Sequence, residues 1–295
     1  MFNRILVALD GSKLAESAKP YAEQIAKLFD SELVLLSVND PAEVEYSHMH
    51  ELYVQRMADL LRESVKNSAA TVKAETLAGK PASEIINYAR DNDVSLIIMA
   101  SHGRTGVMGW AMGSVATRVV ENTAMPVLLV KAATPSADKT AAELFARILI
   151  PLDGSETAEA TLPHVRELNS RLPAELTLLQ VIAPGKPVHT LGGLDQVRFT
   201  EHLLDSMKAK ASSYLETVGE RVCGSQACSR RYEVRVGEAA DQIVRCATDT
   251  GAGLVAISHH GESGIGHMFM GRVAHKVLHA CRTPILLVKT PGKEA

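Results

Sequence analysis

The chain is short of the features that commit a sequence to a membrane, a nucleic acid or a metal. No stretch approaches the roughly 20 consecutive apolar residues that span a bilayer, and no basic segment followed by a long apolar run opens the chain. A soluble cytoplasmic protein with no membrane partner is the expectation. Charge of one sign is not in excess: 31 lysines and arginines stand against 34 aspartates and glutamates, a net charge of -3. That balance offers no electrostatic footprint for nucleic acid. Cysteine is missing from the first half, and Cys223, Cys228, Cys246 and Cys281 lack the paired C-x-x-C spacing of a zinc site. Free thiols are the default reading. A redox pair between Cys223 and Cys228, which flank a Gly-Ser turn signal, is the alternative.

What is present is said twice. RILVALDGS at 4–12 returns as RILIPLDGS at 147–155, and MPVLLVK at 125–131 returns as TPILLVK at 283–289. A repeat of this length in 295 residues implies two homologous domains, expected at 1–132 and 146–295 with a linker at 133–145 that is poor in strand formers. Equivalent positions lie 143 residues apart at Val38 and Val181 but 158 apart at Gly79 and Gly237, so fifteen residues have been added between the second and third strands. The loop Pro184 to Asp195 and a turn near Gly219 to Cys228 are the expected places for them.

Each half opens with a short, nearly continuous apolar run, Ile5 to Leu9 and Ile148 to Leu152, as suits a parallel strand buried on both faces. Asp-Gly-Ser follows, with Ser12 and Ser155 placed to cap helices carrying Ala15, Ala18, Ala22, Ile25 and Leu28, or Ala158, Leu162, Val165 and Leu168. Leu33 to Val38 and Leu176 to Val181 are second strands. A long helix from about Leu52 to Ser68, a strand from Val72 to Leu77 and a helix opening at Pro81 and running through Arg90 continue the alternation. Fourth strands fall at Val94 to Ala100 and Leu254 to Ser258, and fifth strands at Val127 to Lys131 and Ile285 to Lys289. The fold class is α/β: two tandem doubly wound domains, each a five-stranded, mainly parallel sheet with about four helices. The apolar fifth strands are aggregation-prone as edges, and pairing them with each other would remove that liability.

Ligands of such sheets bind beyond the carboxyl ends of the strands, where strand order reverses. In the first half Asp10, the Val38-Asn39-Asp40 end of the second strand and a loop with Gly103, Gly106, Gly109, Gly113 and Ser114 converge there. Backbone N–H groups in a glycine-permitted nest, with the positive end of a helix, suit phosphates; glycines that merely permit tight turns are the plainer reading. No G-K-[ST] follows these glycines, so this is not a Walker A loop, and they lie after the fourth strand rather than the first, which excludes the dinucleotide fingerprint. In the second half the loop reads HHGESGIGHMFMGRV, with Arg272 where the first half has Ser114. His102 sits beside the nest, and His259, His260, His267, His275 and His279 cluster in the second half. His275 and His279 share a helix face, but H-E-x-x-H is absent, so a solvated or pH-sensitive histidine face is expected and no metal site.

Asp10 after the first strand, Gly103 followed by Gly113-Ser114, and a closing Pro126-Val-Leu-Leu-Val strand together resemble the universal stress protein family, over essentially the whole chain and twice. The family's nucleotide-binding motif, G-x2-G-x9-G-[S/T], falls on Ala100, Gly103, Gly113 and Ser114, so the leading glycine has become alanine. In the second half it falls on Ser258, Gly261, Gly271 and Arg272, where the hydroxyl residue is also gone. The resemblance implies ATP or another adenine nucleotide, with or without magnesium, in the first domain. Ala8 and Val38 would border the adenine, Asp10 would accept from the ribose, and Gly103, Arg104, Gly113, Ser114 and Val115 would surround the phosphates. Asp10 also suits a plain turn-capping role, and the two can coexist. Pro151, Asp153 and Val181 keep an adenosine side in the second domain, whose phosphate side has diverged.

The resemblance further implies a non-enzymatic stress-response protein acting through unidentified protein partners, with an intramolecular pseudo-dimer and a possible homodimer. Neither the S-G-G-x-D-S loop nor the H-x-G-H motif of adenylating α/β enzymes follows the first strand, which disfavours an enzyme. A weak ATPase, or an interaction module in which neither half binds nucleotide, are the alternatives.

Overall fold

The computed structural model describes residues 1–39, 47–103, 112–131, 140–183, 201–224, 228–260 and 270–290. In the first half β1 (Arg4–Ala8) leads to α1 (Lys19–Phe29), β2 (Glu32–Asn39), α2 (Ser47–Val65), β3 (Thr71–Ala78), α3 (Pro81–Asp91), β4 (Leu96–Ala100), α4 (Ser114–Asn122) and β5 (Val127–Val130). A helical turn, α5 (Ala141–Leu144), precedes the second half: β6 (Arg147–Leu152), α6 (Glu156–Glu159), α7 (Leu162–Arg171), β7 (Glu175–Ile182), α8 (Glu201–Cys223), β8 (Arg230–Val236), α9 (Ala239–Asp249), β9 (Leu254–His260), α10 (Arg272–Ala280) and β10 (Ile285–Thr290).

The strands form one ten-stranded sheet in the order β3-β2-β1-β4-β5-β10-β9-β6-β7-β8. Pairing is parallel within each half. At the centre β5 and β10 pair antiparallel, with Ile285 opposite Leu129 and Leu287 opposite Val127, so the two apolar fifth strands cover one another as their composition requires. Side chains alternate across the sheet: Ile5 and Val7 join a core with α1, α2, α7 and α8, while Leu6 and Ala8 join a second core with α3, α4, α9 and α10. Both cores run through the seam between the halves.

The cap readings have direct counterparts. Ser12 Oγ accepts from the Ala15 N–H at 3.1 Å, and Ser155 Oγ from the Ala158 N–H at 3.0 Å. The helix behind each cap is broken, however: a 3₁₀ turn at Ala15–Ala18 precedes α1, and α6 is separate from α7. Pro20 and Pro163 lie in the first turn of α1 and α7; proline lacks the N–H an uninterrupted helix would use and its ring crowds the carbonyl four residues back.

Three further expectations are corrected. The long helix of the first half starts at Ser47, ahead of Leu52, and ends at Val65. Gly219 is inside α8, where an added Cβ would meet the Tyr232 hydroxyl at 2.5 Å, so the glycine serves close helix-to-strand approach and the turn comes at Gly224, at φ 56°. Cys223 and Cys228 are joined by a disulfide across that turn; Cys246 and Cys281 are buried free thiols. The loop from Pro184 to Asp195 lies outside the described residues. In the segment read as linker, Leu144 and Phe145 are buried, and the Phe145 ring stands edge-on to Tyr21 with centroids 5.9 Å apart.

Candidate functional site

In the first half β1 lies between β2 and β4, so connections leave in opposite directions on either side of it and a crevice opens at its carboxyl end. A cavity of about 300 Å³ occupies this crevice. Of the residues singled out from sequence, Ala8, Asp10, Val38 and Ala100 line it from the strand ends, and Gly103, Gly113, Ser114 and Val115 from the loop and the start of α4. Arg104 lies outside the described residues.

Asp10 is half-buried at the lip of β1. Its Oδ1 accepts from the Ser12 N–H at 2.9 Å, so the capping role is filled by one carboxylate oxygen. The other oxygen faces Gly103: a Cβ at that position would lie 2.1 Å from Oδ2. Only glycine lets the loop after β4 come this close to the carboxylate. Opposite, the Gly113 N–H donates to the Ser101 carbonyl at 2.9 Å, and the Gly113 carbonyl accepts from the Thr117 N–H at 2.9 Å to begin α4. No side chain caps α4 at Gly113. Its opening residues, Ser114, Val115 and Ala116, therefore bring first-turn N–H groups and the positive end of the helix dipole to the cavity wall. Asp10 is the single carboxylate among the described residues of the lining, and His50 and His102 are its titratable bases.

Two polar residues complete the wall, Asn39, which the sequence placed only as part of the converging strand end, and His50, which it did not single out. Asn39 ends β2 and is buried at 6% exposure; its Oδ1 is out of solvent and meets no donor among the described residues. His50, from the first turn of α2, is buried as well, with Nδ1 3.0 Å from Ser37 Oγ. Ser37 and Asn39 alternate at the end of an otherwise apolar strand, which is the pattern that could have flagged them. Ser101, also buried, has its Oγ 3.0 Å from His102 Nδ1.

The second half departs at the same places. Pro151 stands in β6 where Ala8 stands in β1, Ile182 where Asn39 stands in β2, and His259 where Ser101 follows β4. Asp153 is exposed; its Oδ1 accepts from the Ser155 N–H at 3.0 Å and from Ser155 Oγ at 2.6 Å. Val181 and Ser258 are half-buried at the strand ends, Gly271 precedes α10, and Arg272 is its exposed first residue. Gly261 and His267 lie outside the described residues. The His275 and His279 rings are 4.4 Å apart on α10, and among the described residues no three of His, Cys, Asp or Glu gather as a metal site would require. Among those residues, too, no helix is long and apolar enough to cross a membrane.

Away from the cavity, the seam holds a half-buried cation. Lys131 follows β5 and donates to the Leu278 carbonyl in the last turn of α10. Burial brings its pKa down from 10.5 to about 8. Its counterpart Lys289, in β10, reaches the Glu121 carbonyl near the end of α4 at 3.4 Å. Each half thus reaches the end of the helix that precedes the last strand of the other, α10 or α4.

A model of the universal stress protein family matches residues 1–131 and again residues 144–289. A universal stress protein of Methanocaldococcus jannaschii is 33% identical over 141 residues, covering 44% of this chain and 83% of that protein. A universal stress protein of Synechocystis is 25% identical over 312 residues, 96% of this chain and 98% of its own. The crystal structure of a universal stress protein from Archaeoglobus fulgidus has the same fold: at 18% identity it covers 98% of this chain and 99% of its own, with a TM-score of 0.70.

Proposed function

This chain belongs to the universal stress protein family, and on that premise we propose that its first domain binds ATP or a related adenine nucleotide while its second domain has lost the site. The observation that carries the reading is the cavity at the end of β1, where an acidic side chain and an uncapped helix N-terminus face one another. Its volume of about 300 Å³ falls at the lower edge of small-molecule sites. In this reading Ala8 and Val38 flank the base, and Asp10 accepts from ribose hydroxyls. Gly103, Ser114 and Val115 present N–H groups to phosphate oxygens, with Gly113 turning the loop into α4, Arg104 beside them and Ala100 at the turn. Magnesium would ride on the phosphates rather than on a protein cluster.

Binding rather than catalysis is proposed on the family's pattern; among the described residues of the lining Asp10 is the one carboxylate, with Oδ1 held by the Ser12 N–H, and His50 and His102 lie within hydrogen-bond distance of Ser37 and Ser101. The ligand then acts by altering association with protein partners or with a second copy of the chain. In the second domain, Pro151, Ile182, His259 and Arg272 change the base end and the phosphate end together.

The test is to denature freshly purified protein and quantify released nucleotide by mass spectrometry, with a parallel sample saturated with ATP and magnesium before desalting. About one adenine nucleotide per chain is expected. Two per chain would make the second domain a working site, and none in either sample would leave the interaction-module reading in its place.

A further inference from the structure

We propose that Cys223 and Cys228 form a reversible thiol–disulfide site, opened and closed in the folded chain by exchange with low-molecular-weight thiols. It stands apart from the nucleotide reading and does not depend on it. The bond joins residues five apart at the turn from α8 into β8. Both flanks of that turn are fixed without it. The Gly224 N–H donates to the Glu220 carbonyl at 3.0 Å, ending α8, and the Ser229 carbonyl accepts from the Leu176 N–H at 2.8 Å, opening the pairing of β8 with β7. Arg230 Nη1 further ties the strand to the helix, donating to the Gly219 carbonyl at 3.2 Å. The first half makes the equivalent turn, from α2 into β3, with no cysteine: the Ser68 N–H and Oγ both donate to the Val65 carbonyl, at 2.9 and 2.7 Å. The fold therefore does not need the bond, and so short a loop takes little entropy from the unfolded chain. Opening it leaves the sulfurs on backbone pinned from both sides, with Cα atoms 5.7 Å apart, so the pair re-forms as an intramolecular step.

The two residues are unequal. Cys223 is 5% exposed and belongs to the core that holds Leu215 and Val218, whereas Cys228 is half-buried at the edge of that core. An incoming thiolate therefore attacks Cys228 Sγ, forming a mixed disulfide while the Cys223 sulfur leaves with the bonding pair and takes up a proton. A second donor thiolate then attacks the donor sulfur of the mixed disulfide and releases Cys228, which is protonated in turn. Two electrons and two protons have entered the pair, and the donor departs as its own disulfide; oxidised donor reverses both steps. The Arg166 guanidinium of α7 lies over the residue that follows Cys223, its Nη2 3.5 Å from where a Cβ on Gly224 would stand. A cation there eases the departure of a thiolate. Exchange stays within the pair, because Cys246 and Cys281 are buried in the other core, across the sheet.

The experiment equilibrates the full chain in buffers running from reduced to oxidised glutathione, quenches with acid, alkylates, and locates the modified cysteines by mass spectrometry. Circular dichroism on the same samples reports the fold. Bonds with a purely structural role resist the glutathione pool, which makes glutathione the discriminating reagent. The pair is expected to open in reduced and close again in oxidised buffer, with the spectrum unchanged and the thermal midpoint lower by roughly a few degrees when open. In oxidised glutathione, Cys223→Ser is expected to take up glutathione at Cys228 roughly tenfold faster than Cys228→Ser does at Cys223. Opening only in denaturant, loss of the folded spectrum on opening, or equal uptake by the two variants overturns the inference.

Discussion

At the seam the two halves of the molecule are near equivalents, and at their strand ends they are not. Lys131 caps α10 and Lys289 reaches the end of α4; Val127 to Leu129 pair with Ile285 to Leu287; the same two cores pass through both. At the carboxyl ends Asn39 stands beside a cavity where Ile182 is simply buried, Ser101 is matched by the larger His259, and Ser114 by Arg272. The difference separates two kinds of constraint. A parallel strand covered on both faces accepts few residue types, so a duplicated scaffold keeps its pattern. The residues beyond the strand ends are not held by the sheet, and on the proposed reading a half relieved of its ligand is free to fill its crevice.

The sharpest way to break this comparison is to abolish the first site without disturbing the scaffold. Gly113→Asp does so: an added Cβ would sit 3.3 Å from the Ser101 carbonyl, tight but tolerable, and aspartate is a better cap for α4 than glycine. The carboxylate would then occupy the place of an anion. Nucleotide affinity is expected to fall roughly a hundredfold or more while thermal stability holds or rises, since one charge displaces another of the same sign at the helix end. Unchanged affinity by calorimetry would remove α4 from the site.

A smaller effect tests the seam. The folded-state pKa of Lys131, about 8, lies below its ordinary 10.5. Below about pH 8 both folded and unfolded chains hold the proton and the fold bears the burial cost; between about 8 and 10.5 only the unfolded chain holds it, so stability rises with pH. Lys131→Met should flatten that rise by at most about 1.4 kcal/mol per pH unit, read from urea midpoints across the window. An identical pH slope in both proteins would show that the lysine is not buried as a charge.

The smallest expected effect is none. Arg272→Ser restores the hydroxyl of the first half but leaves Pro151, Ile182 and His259 in place. The stoichiometry of bound nucleotide should therefore stay at one per chain. A rise to two would reduce the divergence of the second half to a single side chain.

Much of the scaffold could be read in advance because its causes are local. Ile5 to Ala8 and Leu96 to Ala100 are buried on both faces and are apolar throughout, and the Asp-Gly-Ser cap is spelled out in nine residues of each half. The helix breaks were not read, although Pro20 and Pro163, just inside the helices that follow them, are their signal. Gly219 misled because glycine is the usual signal for a turn, and only the approach of Tyr232, a tertiary event, explains it within α8. The Cys223–Cys228 bond depended on how the chain turns at Gly224. Asn39 was placed at the converging strand end but its burial was not read, since an asparagine ending an apolar run reads as turn punctuation.

The antiparallel junction of β5 with β10 has a directional consequence. Strands within each half run parallel, so the carboxyl ends of the two halves point away from each other and their crevices open on opposite rims of the sheet. Two occupants could never touch. Yet α4 begins in the wall of the first cavity and ends beside Lys289 of the other half, nine residues and ~13 Å later. The helix therefore joins the wall of the first cavity to the opposite domain directly, by a route that does not pass through the sheet.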